Sequence, residues 1–261
     1  MIAGFIGCGS MGGTLAAVAA KSVGGGHIVV ADHNAHKLAA LRDGYGCVIG
    51  TAVDAASCKV LFLGVKPQAL KGAASELREV LQGSPLVVSM LAGVPSDVVS
   101  EALGGARVLR IMPNTPAAVG AGVILYSLGE GVTAEDEALF LRLMEPAGVC
   151  VRLPEEKIDA GCAVTGCGPA FVCLLMEAMT DAGVRCGLPR DKAALFVQQT
   201  FLGTAKLALD TKTDPAALRA AVCSPAGSTI EGVAALEKGG ARFAMLDAVD
   251  AAYRRTRELG K

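Results

Sequence analysis

The first thirteen residues constrain the fold more than any other part of the chain. A short apolar run, residues 2–6, leads into Gly7-x-Gly9-x-x-Gly12 and then into a helix-like segment, residues 14–21. Gly7 permits a tight turn after a strand, Gly9 lets the backbone approach a pyrophosphate, and Gly12 lets the helix pack close to the strand. The helix N-terminus offers N–H groups and partial positive charge to phosphates. The spacing favours a dinucleotide site over a glycine-rich turn in some other α/β protein.

Asp32 strengthens this interpretation. It follows Gly12 by twenty residues and ends a second apolar run, residues 27–31, where an acid is expected to meet ribose hydroxyls. Asp32 argues for NAD, because a carboxylate repels a 2′-phosphate. His33 and Lys37 could instead form a partly basic pocket for that phosphate. These residues alone leave the choice between the two cofactors open.

Composition excludes several classes of protein. The chain has 261 residues, is 52% hydrophobic and carries a formal net charge of −1 with scattered basic residues, so we expect a well-buried core and no nucleic-acid or membrane partner. The longest uncharged run, residues 160–176, is short for a membrane span and is interrupted by glycine and proline. We expect no signal peptide, because the first strand starts at residue 2.

Nine cysteines without a CxxC pair or clustered histidines indicate reduced thiols in a cytoplasmic protein with no metal site.

The first 153 residues alternate between strand-like and helix-like segments. Continuous apolar strands predict an α/β domain with a mostly parallel sheet and helical crossovers. The predicted strands are residues 2–6, 27–31, 47–49, 60–65, 86–90, 108–112, 122–126 and 149–153, and the predicted helices are residues 14–21, 34–43, 68–81, 95–103 and 134–144.

A different pattern follows Pro154, from which the sequence predicts an all-α domain over residues 154–261. Its predicted helices are residues 190–209 with Pro189 at the first position, 216–222 capped by Asp214, 229–238 and 241–259. Residues 171–179 are apolar around most of a helix circumference, so that helix must be buried on all sides. In so small a domain this predicts a homodimer or a larger homo-oligomer.

The distribution of proton-transfer groups narrows the reaction. All three histidines, His27, His33 and His36, lie around the end of the second strand. An alcohol dehydrogenation needs a group to move the hydroxyl proton, and residues 154–261 contain no histidine. Reduction of an imine fits, because a protonated imine already carries the charge that accepts hydride.

Residues 224–231 form the candidate substrate clamp. The N–H groups of Gly227, Ser228 and Thr229 open a helix at which a carboxylate would bind, and the Thr229 hydroxyl can bond a ring nitrogen. The alternative is an ordinary capping box, Ser228-x-x-Glu231, on a surface helix.

Two loops after strands are candidate cofactor contacts, residues 65–68 and 112–116, in which Asn114 and Thr115 can donate hydrogen bonds. They could equally be ordinary turns. Residues 166–170 could be a tight helix start or a backbone that faces a ligand.

Together these segments resemble pyrroline-5-carboxylate reductase, an enzyme of proline biosynthesis, over essentially the whole chain. VLFLGVKPQ, RIMPNTP, TGCGPAFV and SPAGSTIEGVAALEKGGARF resemble family motifs, and the last and RIMPNTP are the specific ones. The resemblance implies NAD(P)H-dependent reduction of 1-pyrroline-5-carboxylate to L-proline, with NADPH accepted and NADH also used. It also implies an α/β Rossmann N-terminal domain followed by an all-α dimerisation domain, with an active site between the cofactor domain and the helical domains.

The resemblance assigns roles residue by residue. Thr229 is the catalytic residue that bonds the pyrroline nitrogen. The substrate-binding residues are Val222, Ser224, Gly227, Ser228 and Thr229, and the cofactor-binding residues are Ile6, Gly7, Gly9, Ser10, Met11, Gly12, Asp32, His33, Val65, Lys66, Pro67, Pro113 and Asn114.

The chain departs from the family at a few positions. Ala226 replaces a glycine, which restricts the backbone of the clamp. Thr51 stands where an asparagine often helps to hold the cofactor, and Ala220 and Ala221 stand where polar residues are usual. Two other functions stay open: a β-hydroxyacid-type dehydrogenase, although no suitable lysine follows Thr165, and a nucleotide-sensing regulator without turnover.

Overall fold

One mostly parallel sheet organises the N-terminal part of the protein. The computed structural model describes residues 1–83 and 85–259, and all eight predicted strands are confirmed there with bounds that differ by at most two residues. They are β1 (Ala3–Ile6), β2 (Ile28–Ala31), β3 (Val48–Ile49), β4 (Val60–Leu63), β5 (Leu86–Ser89), β6 (Val108–Pro113), β7 (Gly122–Leu128) and β8 (Gly148–Arg152).

The strand order fixes where a ligand can bind. The sheet runs β3-β2-β1-β4-β5-β6-β7-β8, and every neighbouring pair is parallel except β6 and β7. The chain leaves β1 on one side for β2 and later returns on the other side as β4. Such a switch point opens a crevice outside the carboxyl ends of the strands, and dinucleotides bind in crevices of this kind.

Seven helices accompany the sheet in the described residues. They are α1 (Ser10–Val23), α2 (Ala35–Tyr45), α3 (Ala52–Ala56), α4 (Leu70–Leu77), α5 (Ser96–Ala102), α6 (Ala134–Met144) and α7 (Glu155–Thr165). The prediction of a single helix over residues 68–81 is wrong, because 3₁₀ turns at Pro67–Ala69 and Val80–Gly83 flank α4. Helix α3 is not predicted by the sequence analysis, although Thr51 and Asp54 form a capping box at its start.

Two compact units make up the chain. The first contains the residues up to Cys167 together with the end of the last helix from Ala252, and the second is Gly168–Ala251. The boundary between residues 153 and 154 concerns sequence domains and stays a prediction. The remaining helices are α8 (Gly168–Arg185), α9 (Arg190–Thr211), α10 (Pro215–Ala221), α11 (Ser228–Lys238) and α12 (Ala241–Leu259).

The helical region differs from the prediction at two helix starts and in α7, which is not among the predicted helices. Residues 154–259, all of them described, contain only helices and loops. Asp214 caps α10 as predicted, by accepting from the Ala216 N–H. Pro189 is the N-cap of α9, one position earlier than predicted. The predicted capping box of Ser228 and Glu231 is wrong, because the N-cap of α11 is Gly227 and its start has no side-chain cap.

Apolar side chains of the second unit are exposed in the single chain. Leu174 in α8, Leu202 in α9 and Phe243 in α12 are 64%, 61% and 72% exposed. By length and hydropathy the helical segment Glu155–Arg185 could cross a membrane, with 11% of its most apolar stretch buried. A helix that is apolar on all sides but exposed on its own chain requires a further apolar partner.

The first unit, in contrast, has a buried apolar core on both faces of the sheet. Phe5 and Phe62 stack at 4.3 Å between ring centroids, within one cluster of buried side chains. Leu61 and Leu63, which flank Phe62 and so point to the other face, belong to a second cluster. Helix α5 packs on this face of the sheet and contributes Val99 to the second cluster.

Adjacent valines in α5 give a matched test of this packing. Val99 is fully buried and Val98 is 47% exposed. Val99→Ala removes two buried methyl groups and should lower the free energy of unfolding by about 2 kcal/mol. Val98→Ala should change it by less than about 0.5 kcal/mol. Chemical denaturation of both variants measures the difference, and equal values would contradict the placement of α5.

Candidate active site

The glycine turn between β1 and α1 has the local geometry that the sequence predicts. Gly7 has φ +87°, a left-handed conformation that favours glycine. A Cβ at Gly12 would lie 2.0 Å from the Gly7 carbonyl oxygen, so α1 can pack this close only with glycine there. A Cβ at Gly9 would meet no protein atom within 4 Å, which leaves the space above the turn open for a pyrophosphate.

The start of α1 suits an anion. Its N-cap is Gly9, and no side chain accepts hydrogen bonds from its first turn. The N–H groups of Ser10, Met11 and Gly12 belong to the orphan donors of a helix start. Together with the positive end of the helix dipole they can hold phosphate oxygens. These residues therefore fit the dinucleotide that the sequence predicts.

Asp32 links the glycine turn to the loop after β2. Its Oδ2 accepts from the Cys8 N–H at 2.7 Å, and its Oδ1 accepts from the Asn34 N–H at 2.8 Å. Both oxygens thus have a backbone donor, which orients the carboxylate. Each oxygen keeps a second acceptor position, so a ribose hydroxyl can still bind.

A cavity of about 590 Å³ lies at the carboxyl ends of β1, β2 and β4. Of the predicted cofactor residues, its lining contains Ile6, Gly7, Asp32, His33 and Val65. The lining also includes Thr51 and Gln68, which stand at predicted cofactor positions, and Gly50 and Gly72, which the sequence does not assign to the site. The signal for Gly50 is its position directly after β3, at the ligand-binding edge of the sheet, whereas Gly72 lies within α4 and has no such signal.

Other predicted cofactor residues lie outside the lining of this cavity. Lys66 is the N-cap of the 3₁₀ turn that begins at Pro67. Pro113 is the last residue of β6, where it pairs with Ile124 of β7. Their contact with a cofactor stays a prediction, as does that of the α1 start.

Thr51 has a local structural role. Its N–H and its hydroxyl donate to Asp54 at 2.8 and 2.7 Å. These hydrogen bonds, first that of the N–H, hold the pKa of the Asp54 carboxyl below its usual range. The family asparagine is thus replaced by a residue that fixes the start of α3 beside the cavity.

Cys8 is part of the glycine turn, and its buried thiol is poorly suited to act as a nucleophile. Burial, and then the neighbouring Asp32 carboxylate, raise the pKa of its thiol to about 12. The side chain therefore stays a neutral thiol at physiological pH. The reactive form of cysteine is the thiolate.

Asn114 is 8% exposed and already bonded on both sides of its amide. Its Oδ1 accepts from the Val123 N–H at 2.8 Å, and its Nδ2 donates to the Thr165 carbonyl at 3.0 Å. The carbonyl belongs to the last residue of α7. Asn114 therefore connects β6, β7 and α7.

The candidate clamp in the second unit is also a helix start with a glycine N-cap. Gly227 caps α11 without a side-chain hydrogen bond, so the first-turn N–H groups, including those of Ser228 and Thr229, have no capping side chain. A Cβ at Gly227 would lie 2.3 Å from Ser224 Oγ. Val222, Ser224 and Thr229 are exposed on the single chain.

Ala226 gives this clamp a strained backbone. Its φ is +55°, in the left-handed region where the family has glycine. A residue with a Cβ pays roughly 1–2 kcal/mol for that conformation. The substitution thus leaves the turn intact and makes it costlier to form.

Comparison with known proteins decides the family. A 38% identical relative from Arabidopsis thaliana, named pyrroline-5-carboxylate reductase, matches over 99% of this chain and 95% of its own length. The chain belongs to the pyrroline-5-carboxylate reductase family. The relative of the same name from Escherichia coli is also 38% identical, over 99% of this chain and 98% of its own.

Family models and solved structures agree with this assignment. The model for pyrroline-5-carboxylate reductase dimerisation matches residues 155–259, and the model for NADP oxidoreductase, coenzyme F420-dependent, matches residues 2–93. The structure of the Coxiella burnetii reductase superposes with a TM-score of 0.91 at 32% identity, covering 99% of this chain and 98% of its own. The Plasmodium falciparum reductase with NADP bound gives 0.89 at 25% identity, covering 100% and 98%.

Gly9→Ala separates cofactor binding from folding. Because a Cβ at Gly9 meets no protein atom within 4 Å, the variant should keep the melting temperature of the wild type. The methyl group would occupy pyrophosphate space and should weaken NADPH binding by at least about 10-fold, ~1.4 kcal/mol.

Gly44→Ala in α2 is the matched control, because a Cβ there also meets nothing within 4 Å. Fluorescence titration with NADPH measures both variants. An unchanged dissociation constant of Gly9→Ala for NADPH would show that the glycine turn does not bind the cofactor.

Proposed function

We propose that this protein reduces 1-pyrroline-5-carboxylate to L-proline with NADPH, and that NADH is also used. The observation that carries the proposal is the start of α11, where an uncapped helix N-terminus stands beside the Thr229 hydroxyl. The free N–H groups of a helix start can bind a carboxylate. The Thr229 hydroxyl can form a hydrogen bond with the ring nitrogen of the substrate. The relatives named pyrroline-5-carboxylate reductase support the reaction.

NADPH, when bound, supplies a hydride to the carbon of the C=N bond. The glycine turn and the start of α1 hold its phosphates. Gly227 and Ser228 hold the substrate carboxylate through their N–H groups, and Val222 and Ser224 flank it. Thr229 accepts a hydrogen bond from the protonated ring nitrogen, which orients the C=N bond. As hydride adds to the carbon, the π electrons of the C=N bond move to the nitrogen, and the amine keeps its proton.

This chemistry needs no protein base. The three histidines of the chain, at positions 27, 33 and 36, lie before or in the first turn of α2, and the second unit contains none. A protonated imine carries the positive charge that accepts hydride, so binding and orientation supply the catalysis.

We further propose that residues 1–153 bind the cofactor and that residues 154–261 bind substrate and form a homodimer or a larger homo-oligomer. The dimerisation family model supports this, as do the exposed apolar side chains Leu174, Leu202 and Phe243. A second copy of the chain would cover them. Nine free cysteines and bacterial relatives support a cytoplasmic location.

Thr229→Ala tests the assigned catalytic residue. Loss of one transition-state hydrogen bond should lower kcat for 1-pyrroline-5-carboxylate by about 10- to 100-fold, roughly 1.4–2.7 kcal/mol. Thr229→Ser keeps the hydroxyl and should retain activity within about 3-fold. Steady-state oxidation of NADPH measures both, and a fully active Thr229→Ala variant would refute the role.

The cofactor preference follows from the loop after β2. Asp32, which is held by two backbone donors, allows NADH to bind through its ribose hydroxyls, while the exposed side chains of His33 and Lys37 in the following residues can contact a 2′-phosphate. We expect kcat/KM with NADPH to be comparable to or higher than that with NADH. A preference for NADH of more than ~100-fold, roughly 2.7 kcal/mol, would contradict this.

A further inference from the structure

We propose that Asn114 is a positioning residue, one that fixes the end of α7 beside the end of β6 and contacts no part of the cofactor. This proposal rests on the proposed reductase function. It replaces the role that the resemblance assigns to Asn114, that of a residue in the cofactor wall, and the two roles have different experimental consequences.

The first argument is the use of the amide. Oδ1 accepts from the Val123 N–H at 2.8 Å and Nδ2 donates to the Thr165 carbonyl at 3.0 Å. At 8% exposure the side chain offers little surface to a ligand. Each polar atom of the amide already holds a backbone group of another element, so loss of the side chain would leave the Val123 N–H and the Thr165 carbonyl without this partner.

The second argument is the place of the two partners. Val123 lies at the start of β7, opposite the end of β6 in the antiparallel pair. Thr165 is the last residue of α7, and its carbonyl is one of those that a helix end leaves without an intrahelical partner. Asn114 therefore joins three elements at the carboxyl edge of the sheet, the edge at which the cofactor cavity opens.

The third argument is that the same strand also holds the beginning of α7. Arg110 in β6 is 3% exposed, and its guanidinium contacts Asp159 at 2.7 Å and Glu155 at 3.5 Å. From Arg110 to Asn114 the strand rises about 13 Å. Residues 155–165 rise about 15 Å along the helix. The helix thus runs along the strand and is bonded to it at both ends.

Close packing makes this attachment rigid. A Cβ at Gly161, in the middle of α7, would lie 2.3 Å from Leu125 Cδ1 in β7. The helix therefore lies so close to β7 that a side chain at this position would displace Leu125. Asn114 then sets the position of residues 165–167, which lead into α8.

The consequence for catalysis is geometric. Hydride transfer requires reacting atoms about 3–3.5 Å apart, and a misplacement of about 1 Å can cost on the order of 100-fold in rate. A residue that sets the end of a bonded helix at the ligand-binding edge can change kcat without changing cofactor affinity.

Two variants test the role. Asn114→Asp keeps the acceptor for the Val123 N–H but replaces the donor to the Thr165 carbonyl by a carboxylate oxygen. Asn114→Ala removes both bonds. With active sites counted by NADPH titration, we expect kcat per site to fall by about 10- to 100-fold in both, with the NADPH dissociation constant within about 3-fold of the wild type. The Asp variant keeps the test possible if the Ala variant does not fold.

Two further readouts distinguish positioning from a merely structural role. Hydrogen exchange at the Val123 amide should accelerate in Asn114→Ala but not in Asn114→Asp. The primary isotope effect on kcat with NADPH deuterated at C4 should rise in both variants, because a longer transfer distance makes the chemical step limiting.

The outcomes separate the two roles. NADPH binding weakened by more than about 10-fold would show that Asn114 is a cofactor ligand, and unchanged kcat per site would show that it has no positioning role; either overturns the proposal. An inactive wild type that still binds NADPH would refute the reductase function itself, which is a different result.

Discussion

A helix start without a side chain to cap it is the feature on which the active site depends. It occurs at Gly9 before α1 and at Gly227 before α11, and in both cases glycine leaves the first-turn N–H groups without a side-chain acceptor. Some other helices are capped by a side chain, as α6 is by Thr133 and α2 by Asn34, whereas α4, α5, α7 and α9 also begin without a capping side chain but follow alanine or proline rather than glycine. Uncapped donors are unfavourable until an anion binds. In the proposed function the two starts serve the two anionic groups of the reaction, the pyrophosphate and the substrate carboxylate.

Much of the first unit could be predicted from its sequence because buried parallel strands are continuous apolar runs. Strand β4, with the sequence VLFL, and its neighbours stand out for this reason. Helix α3 cannot be recognised in the sequence, because five residues are too few to show a helical period. Ser228, with Glu231 three residues later, has the sequence pattern of a capping box, but it is not the N-cap of α11. The pattern alone does not reveal that the backbone already turns into the helix at Gly227.

The role of Asn114 could not be predicted from the sequence for a different reason. MPNTP follows a strand at the ligand-binding edge, so a polar side chain there suggests a ligand contact. Its partners, Val123 and Thr165, lie 9 and 51 residues further along the chain. Only the antiparallel return of β7 and the packing of α7 bring them to the same place. Hydrogen bonds between residues far apart in the chain, those of Asn114 and those of Arg110, hold α7 against β6 and β7.

The central claim is that hydride passes directly from the nicotinamide to the carbon of the C=N bond while the chain only binds and orients. Mass spectrometry of proline formed from 1-pyrroline-5-carboxylate and NADPH stereospecifically deuterated at C4 tests this most directly. Direct transfer predicts one deuterium on the former imine carbon with one of the two C4 epimers and none with the other, and no dependence on the protons of the solvent. Proline that carries solvent hydrogen at that carbon, with either epimer, would contradict it.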